Sequence, residues 1–172
     1  MVKKTILIIV VITFASFVVY YFFPERRLPN VFTVTKLVVL KSKRQLLVYS
    51  KSKLIKTYKI SLGFCPVGKK QFENDGKTPE GLYFINNKNP NSVCYKNLGI
   101  SYPNSNDIEN AKRLGVPTGG DIKIHGLPNG KGFIGKFQRW YDWTNGCIGL
   151  TNAEIDDLYI HTPIGTPIEI KL

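Results

Sequence analysis

Residues 119–150 read GGDIKIHGLPNGKGFIGKFQRWYDWTNGCIGL. Alternation through Ile122, Lys123 and Ile124 predicts a short strand over residues 122–125 that delivers His125 to the point where the backbone opens at Gly126. A strand end fixes a side chain, and the loop after it admits a ligand. Downstream, Thr144-Asn145-Gly146 reads as a turn into a second short strand over residues 148–150, with Cys147 at its entrance. Gly146 allows close backbone approach, so the amides of Gly146 and Cys147 can point together at one oxygen. A thiolate nucleophile needs a base, an oxyanion pocket and a group that holds the base in one tautomer. This stretch offers the first two, although a lone Cys more often packs as a small apolar residue.

Period-two patterning dominates on either side of it. Val34–Leu40, Gln45–Tyr49 and Leu54–Leu62 predict a β-meander joined by the polar turns KSKR and SKSK. Residues 63–81 read as loop, Leu82–Asn86 as a strand and Asn87–Ser92 as another polar turn. Ser105 or Asn106 can cap a helix through Leu114, which Gly115 and Pro117 would stop. Thr151 and Glu154 form a T-x-x-E capping box for a helix to about Tyr159, and Pro167–Lys171 makes a last strand. The fold class expected is mainly β with a few short helices.

The 172-residue chain is 43% hydrophobic, which suits one globular domain with a short appendage. Thr5–Phe23 carries no charge, and its nineteen residues would extend about 28 Å as a helix, close to a hydrocarbon core of roughly 30 Å. A cut after Ala15 would leave a mature end in FVVYYFF, so an uncleaved anchor is the better reading, with Tyr20–Phe23 as its interfacial end. Lys3 and Lys4 favour a cytoplasmic N-terminus. Residues 1–30 are therefore assigned to a membrane anchor and linker, and residues 31–172 to an extracytoplasmic domain on a single-pass protein.

The net charge of +12 is unevenly spread: residues 31–72 hold ten Lys and Arg and no acid, whereas residues 73–172 carry a net −1. The basic half reads as a surface near something anionic. Nucleic-acid binding is disfavoured, because the half richest in unusual residues is near neutral. Cys65, Cys94 and Cys147 are an odd count with no C-x-x-C pair, which argues against a zinc knuckle. Cys65 and Cys94 are expected to be buried free thiols.

The I-H-G of residues 124–126, followed by T-N-G-C-I at 144–148, resembles the L,D-transpeptidase catalytic domain (the YkuD type), bacterial enzymes that act on peptidoglycan peptide stems. The similarity extends to GKKQFENDGKTPEGLY (68–83), LGISYPN (98–104), GGDIKIHGLPNG (119–130) and the final GTPIEI (165–170). Several spaced motifs in one order are far more specific than a His and a Cys alone. The resemblance implies a β-sandwich behind the N-terminal helix, Cys147 as nucleophile, His125 as general base, the Gly126 carbonyl as the group orienting His125, and the Gly146 amide as an oxyanion donor. It implies acyl transfer through a thioester on Cys147, with an L,D-carboxypeptidase or an amidase of the same fold as the alternative, and no metal or cofactor. A non-catalytic, tethered wall-binding protein is a further alternative, and intact Cys147 and His125 count against it. The chain departs from the family pattern at Asn145, where most members carry His, and at Gly149, where most carry Arg or Asn. A substrate-carboxylate contact then falls to Arg139, Lys123 or Lys136, and Asn145, Arg139 and Trp143 are the expected substrate-binding residues.

Trp140, Tyr141, Asp142 and Trp143 could wall the substrate groove, but a packed cluster supporting the Cys turn is at least as good a reading. His161 is expected to be structural, and Asp121 to serve its turn.

Overall fold

The computed structural model describes residues 2–29 and 32–172. Helix α1 (Val2–Phe22) stands clear of the domain's core with no buried residue, and it is long and apolar enough to cross a membrane. The predicted meander follows as β1 (Lys36–Leu40), β2 (Gln45–Ser50) and β3 (Lys53–Lys59), paired antiparallel with Lys36 opposite Tyr49 and Gln45 opposite Lys59. Then come β4 (Gly81–Ser92), β5 (Tyr95–Ile100), α2 (Ser105–Leu114), β6 (Lys123–His125), β7 (Ile148–Gly149), α3 (Asn152–His161) and β8 (Pro167–Lys171).

The strand order is β3-β2-β1-β8-β4-β5-β6-β7. The twelve-residue β4 belongs to both halves, pairing with β8 at its start and with β5 beyond Ile85. Beyond β3, Ser61 bridges to Gly149 and Gly63 to Thr144, so the far end of the sheet curls back onto its beginning. The sandwich is thus one sheet folded over a single core. Leu37, Leu46 and Tyr58 from one half meet Leu98, Ile124 and Ile148 from the other, and Ile155 and Leu158 of α3 close the side. At roughly 25 cal/mol per Å² of apolar surface, this core is the main source of stability.

One helix cap falls where the sequence puts it and the other is displaced. Thr151 and Glu154 exchange the two hydrogen bonds of a capping box, while α2 is capped by Asn104, one residue earlier than expected, with Asp107 as its reciprocal partner and left-handed Gly115 at its end. The polar stretch 87–92 is strand instead of turn. None of its residues is buried, so no apolar alternation announces it, and the reversal falls on Val93 and Cys94 between the paired Ser92 and Tyr95. β5 is likewise absent from the sequence reading, as is a 3-10 segment over Gly132–Trp140 that kinks at Gly135.

The basic half is not the free cationic surface expected. Lys36, Lys41, Arg44, Lys56, Lys69 and Lys70 each meet a carboxylate, and all of these acids lie at residue 75 or beyond. Folding thus neutralises most of one half's charge with the other's. Lys41 and Lys70 are buried, Lys41 holding the 68–80 loop through Gly68 O, Thr78 O and Glu80. All three cysteines are free, but Cys65 is exposed and Cys94 only half-buried, so neither is the buried thiol expected.

Candidate active site

β6 and β7 run parallel, with Ile124 opposite Ile148 and His125 opposite Gly149. That register carries Cys147 to the rung of Lys123, beside the strand whose last residue is His125. Cys147 Sγ donates to Asp121 O at 3.7 Å. Asp121 holds a left-handed backbone (φ 60°), which turns this carbonyl toward the sulfur, and its carboxylate pairs outward with Lys123 at 2.6 Å.

His125 is 6% exposed, and its Nδ1 lies 2.6 Å from Gly126 O. A carbonyl only accepts, so Nδ1 carries the hydrogen and Nε2 keeps its lone pair. Gly126 has no room for a side chain, because a Cβ there would come within 2.7 Å of Asn152 Oδ1. Burial pushes the His125 pKa below its ordinary value, the Lys123 charge adds to the shift, and the bond to Gly126 opposes it. Burial also pushes the Cys147 thiol up to about 11, against the pull of the Lys123 amide and charge. The resting pair is therefore a neutral thiol and a neutral imidazole.

The Trp143 ring meets the imidazole edge-on, with centroids 5.5 Å apart at 72°. Trp143 Nε1 donates to Gln138 Oε1 at 3.0 Å, and Ser61 Oγ sits within hydrogen-bond reach of both that oxygen, at 2.7 Å, and the Gln138 main-chain carbonyl, at 2.6 Å. Gln138 is fully buried, so this polar knot anchors the indole from behind. Gly149 completes the fit: a Cβ there would lie 3.1 Å from Trp143 Cζ2 and 3.2 Å from Gln138 Oε1. The aromatic cluster thus divides, with Trp143 supporting His125 and Trp140 facing away toward α1 at Phe17 and Tyr20.

Two expected roles are redirected. The Gly146 amide donates to Thr144 Oγ1 at 3.2 Å, and that hydroxyl donates to Cys147 O at 2.7 Å. Gly146 is needed for another reason: its φ is 123°, and a Cβ would fall 2.6 Å from Lys77 O. Arg139 is turned from the Cys–His pair onto two carboxylates, at 2.7 and 2.9 Å from Glu25 and 2.7 Å from Glu154. Lys136 donates to the Tyr20 and Phe23 carbonyls at the end of α1. Asn145 is exposed at the rim of the turn, and Lys123 is the expected carboxylate contact that stands at the thiol. His161 lies apart, stacked on Phe32 at 4.4 Å. Gln138 and Ser61 escaped the sequence reading because a buried amide amid aromatic and basic neighbours leaves no periodic signal.

The profile of the L,D-transpeptidase catalytic domain, YkuD, matches residues 35–170. The chain belongs to this family. It is 30% identical to YafK of Escherichia coli K12 over 128 residues, which cover 70% of this chain and 44% of that protein. Among solved structures it resembles the helical cell shape determining protein Pgp2 of Campylobacter jejuni at 25% identity and a TM-score of 0.60, covering 84% of this chain and 50% of that one. Bd1075 of Bdellovibrio bacteriovorus, at 24% identity and a TM-score of 0.57 over 84% of this chain and 51% of that one, shares the fold. The chain spans about half the length of the relatives it matches. Within the L,D-transpeptidase family, its Gly149 is explained by Trp143 and Gln138, which occupy the space a longer side chain would take.

Proposed function

We propose that the protein is a membrane-anchored cysteine acyl transferase acting on peptidoglycan peptide stems, with α1 as anchor and the domain from residue 31 outside the cytoplasm. The observation that carries the reading is the β6–β7 register, which sets the Cys147 turn beside a histidine held in one tautomer with Nε2 unprotonated. His125 Nε2 takes the thiol proton as Sγ bonds to the carbonyl carbon of the third stem residue, whose oxygen takes up the displaced electron pair. The C–N bond then breaks, and the leaving D-Ala amine takes the proton back from the imidazolium. A thioester on Cys147 remains, and an amine or water accepts the acyl group.

The Cys147 amide is the donor aimed at the oxyanion, and one such donor is worth on the order of 3 kcal/mol. Thr144 Oγ1 must release the Gly146 amide before that amide can join it. Lys123 takes the substrate carboxylate by giving up its solvent-exposed partner Asp121, because Arg139 is held between Glu25 and Glu154 and Lys136 by the end of α1. Asn145 and Trp143 border the bound stem. A neutral resting pair keeps the thiol quiet until substrate displaces water. The likeness to Pgp2, named as a determinant of helical cell shape, supports a role in shaping the wall.

The test is mass spectrometry of the full-length protein incubated with tetrapeptide muropeptides. An acyl adduct on the Cys147 peptide with loss of D-Ala is expected, and cross-linked or shortened products then separate transfer from hydrolysis. Turnover by folded Cys147→Ala would overturn the thiol chemistry.

A further inference from the structure

The 3-10 segment Gly132–Trp140 and Tyr141 after it present large aromatic side chains that the domain leaves uncovered: Phe133 is 74% exposed, Trp140 58% and Tyr141 56%. The segment is also the domain's seat for α1. Phe17 lies 5.7 Å from Trp140 and 6.4 Å from Phe137, and Tyr21 stacks on Phe137 at 5.5 Å and donates to Phe133 O at 2.7 Å. Gly135 admits this approach, since a Cβ there would meet the Tyr21 ring at 2.9 Å. The two-pronged Arg139–Glu25 pair closes the seam beyond the helix end.

These contacts fix the height of the aromatic segment along the helix. Phe17 is six residues before Phe23, the last residue of the uncharged run, which is about 9 Å down the helix axis. If the run Thr5–Phe23 fills the hydrocarbon layer, the rings packed at the level of Phe17–Tyr21 cannot stand in water. They fall within the roughly 5–10 Å depth that an interfacial apolar face occupies. Aromatic rings favour that depth. Beside them, a groove of about 720 Å³ has Ile12, Ala15 and Val19 of α1 as its apolar wall, with Glu25 at its edge paired to Arg139 and Lys136, so Lys59 is the cation it offers a phosphate headgroup above an acyl chain.

We propose that residues 133–141 are a second membrane-contact element, seated in the headgroup and upper acyl layer of the leaflet from which α1 emerges. This holds the catalytic domain in one orientation on the bilayer instead of swinging on a tether. The inference rests on the reading of α1 as an uncleaved anchor, and the partner is a lipid surface carrying anionic headgroups.

The chain has two tryptophans, so a difference between two proteins isolates one of them. Full-length wild type and Trp140→Phe are reconstituted into phosphatidylethanolamine/phosphatidylglycerol vesicles containing lipids brominated near the carbonyl end of the acyl chain. Trp140 is mostly exposed, so the substitution leaves the fold intact. The expected result is quenching of about half the wild-type emission, lost in Trp140→Phe, with both proteins resisting alkaline carbonate extraction. Equal quenching in the two proteins, with both still resisting carbonate, overturns the second contact and leaves the anchor standing. Release by carbonate overturns the anchor and this inference with it.

Discussion

The stretch from Gly132 to Leu150 has two sides built by different physics. Its inward side is a hydrogen-bonded knot: Trp143 donates to Gln138 Oε1, Ser61 Oγ lies against Gln138 Oε1 and the Gln138 main-chain carbonyl, and the indole of Trp143 backs the His125 ring. Its outward side is rings and paired charges, with Phe137 and Trp140 against α1 and Arg139 between Glu25 and Glu154. Hydrogen bonds fix a ring to tenths of an ångström, which proton transfer requires. Rings and ion pairs hold a helix against a domain with less angular demand. Neighbouring residues such as Gln138 and Arg139 can therefore serve chemistry and placement separately, and substitutions on the two sides should fail in different assays.

The largest effect is expected at the thiol. Cys147→Ala should abolish acyl-adduct formation and turnover with an unchanged melting curve at neutral pH, while Cys65→Ser and Cys94→Ser keep adduct formation and turnover. Next comes His125→Gln, which should slow acylation of Cys147 about 10²- to 10⁴-fold. His161, stacked on Phe32 away from the thiol, is the control, and His161→Gln should leave the rate within about twofold of wild type. Equal slowing by the two histidine variants would remove His125 from the role of base.

On the outward side, Arg139→Leu strands Glu154, a buried carboxylate whose pKa burial already raises against the pull of Arg139. Breaking such a pair costs about 3 kcal/mol or more. A lower Tm is expected for the full chain in detergent, partly restored by adding Glu154→Gln, while acylation by the molecules that remain folded stays near wild type. Loss of acylation without loss of Tm would return Arg139 to the substrate site.

The placement of His125 at a strand end and of Cys147 at a turn was legible because strand alternation and T-N-G-C are local signals, and the parallel β6–β7 register only had to bring the two segments together. The Thr151–Glu154 box was legible for the same reason. β5 and the far half of β4 were not, because their pairing is long-range and residues 87–92 bury nothing. Arg139 misled because a cation between two motif residues looks like a ligand, whereas its partners Glu25 and Glu154 are distant in sequence. The basic half misled likewise, its acids arriving only on folding.

A smaller effect is expected at Gln138. Gln138→Leu leaves Trp143 Nε1 without its acceptor, while Ser61 Oγ keeps the main-chain carbonyl of residue 138 at 2.6 Å, so the lost indole bond costs about 1–3 kcal/mol of stability. If the knot positions His125, kcat for acylation should fall about tenfold with KM little changed. Gln138→Glu keeps the acceptor oxygens and should recover most of the rate, whereas Gln138→Met, of similar volume with no such acceptor, should stay slow; equal recovery by the two would mean that packing alone is at work.

The subtlest effect lies in the pH dependence of thiol labelling, where the two sides of the comparison can be sharpened without damaging either. Alkylation needs the thiolate, and burial pushes the Cys147 thiol up to about 11 while keeping the His125 imidazole neutral. Iodoacetamide labelling of the Cys147 peptide, read by mass spectrometry from about pH 6 to about pH 10, should therefore climb about tenfold per pH unit with no plateau. A plateau below about pH 8 would mean a thiolate–imidazolium pair at rest. Lys123→Met removes a partly screened charge and keeps the backbone amide at the sulfur, so the curve should move to higher pH by less than about one unit, and Lys123→Arg should leave it in place. The same raised pKa has a signed consequence for stability. Its contribution is intact below the thiol's ordinary value of 9.0 and is lost as pH rises toward about 11, so Cys147→Ala should flatten the alkaline fall in Tm over that window.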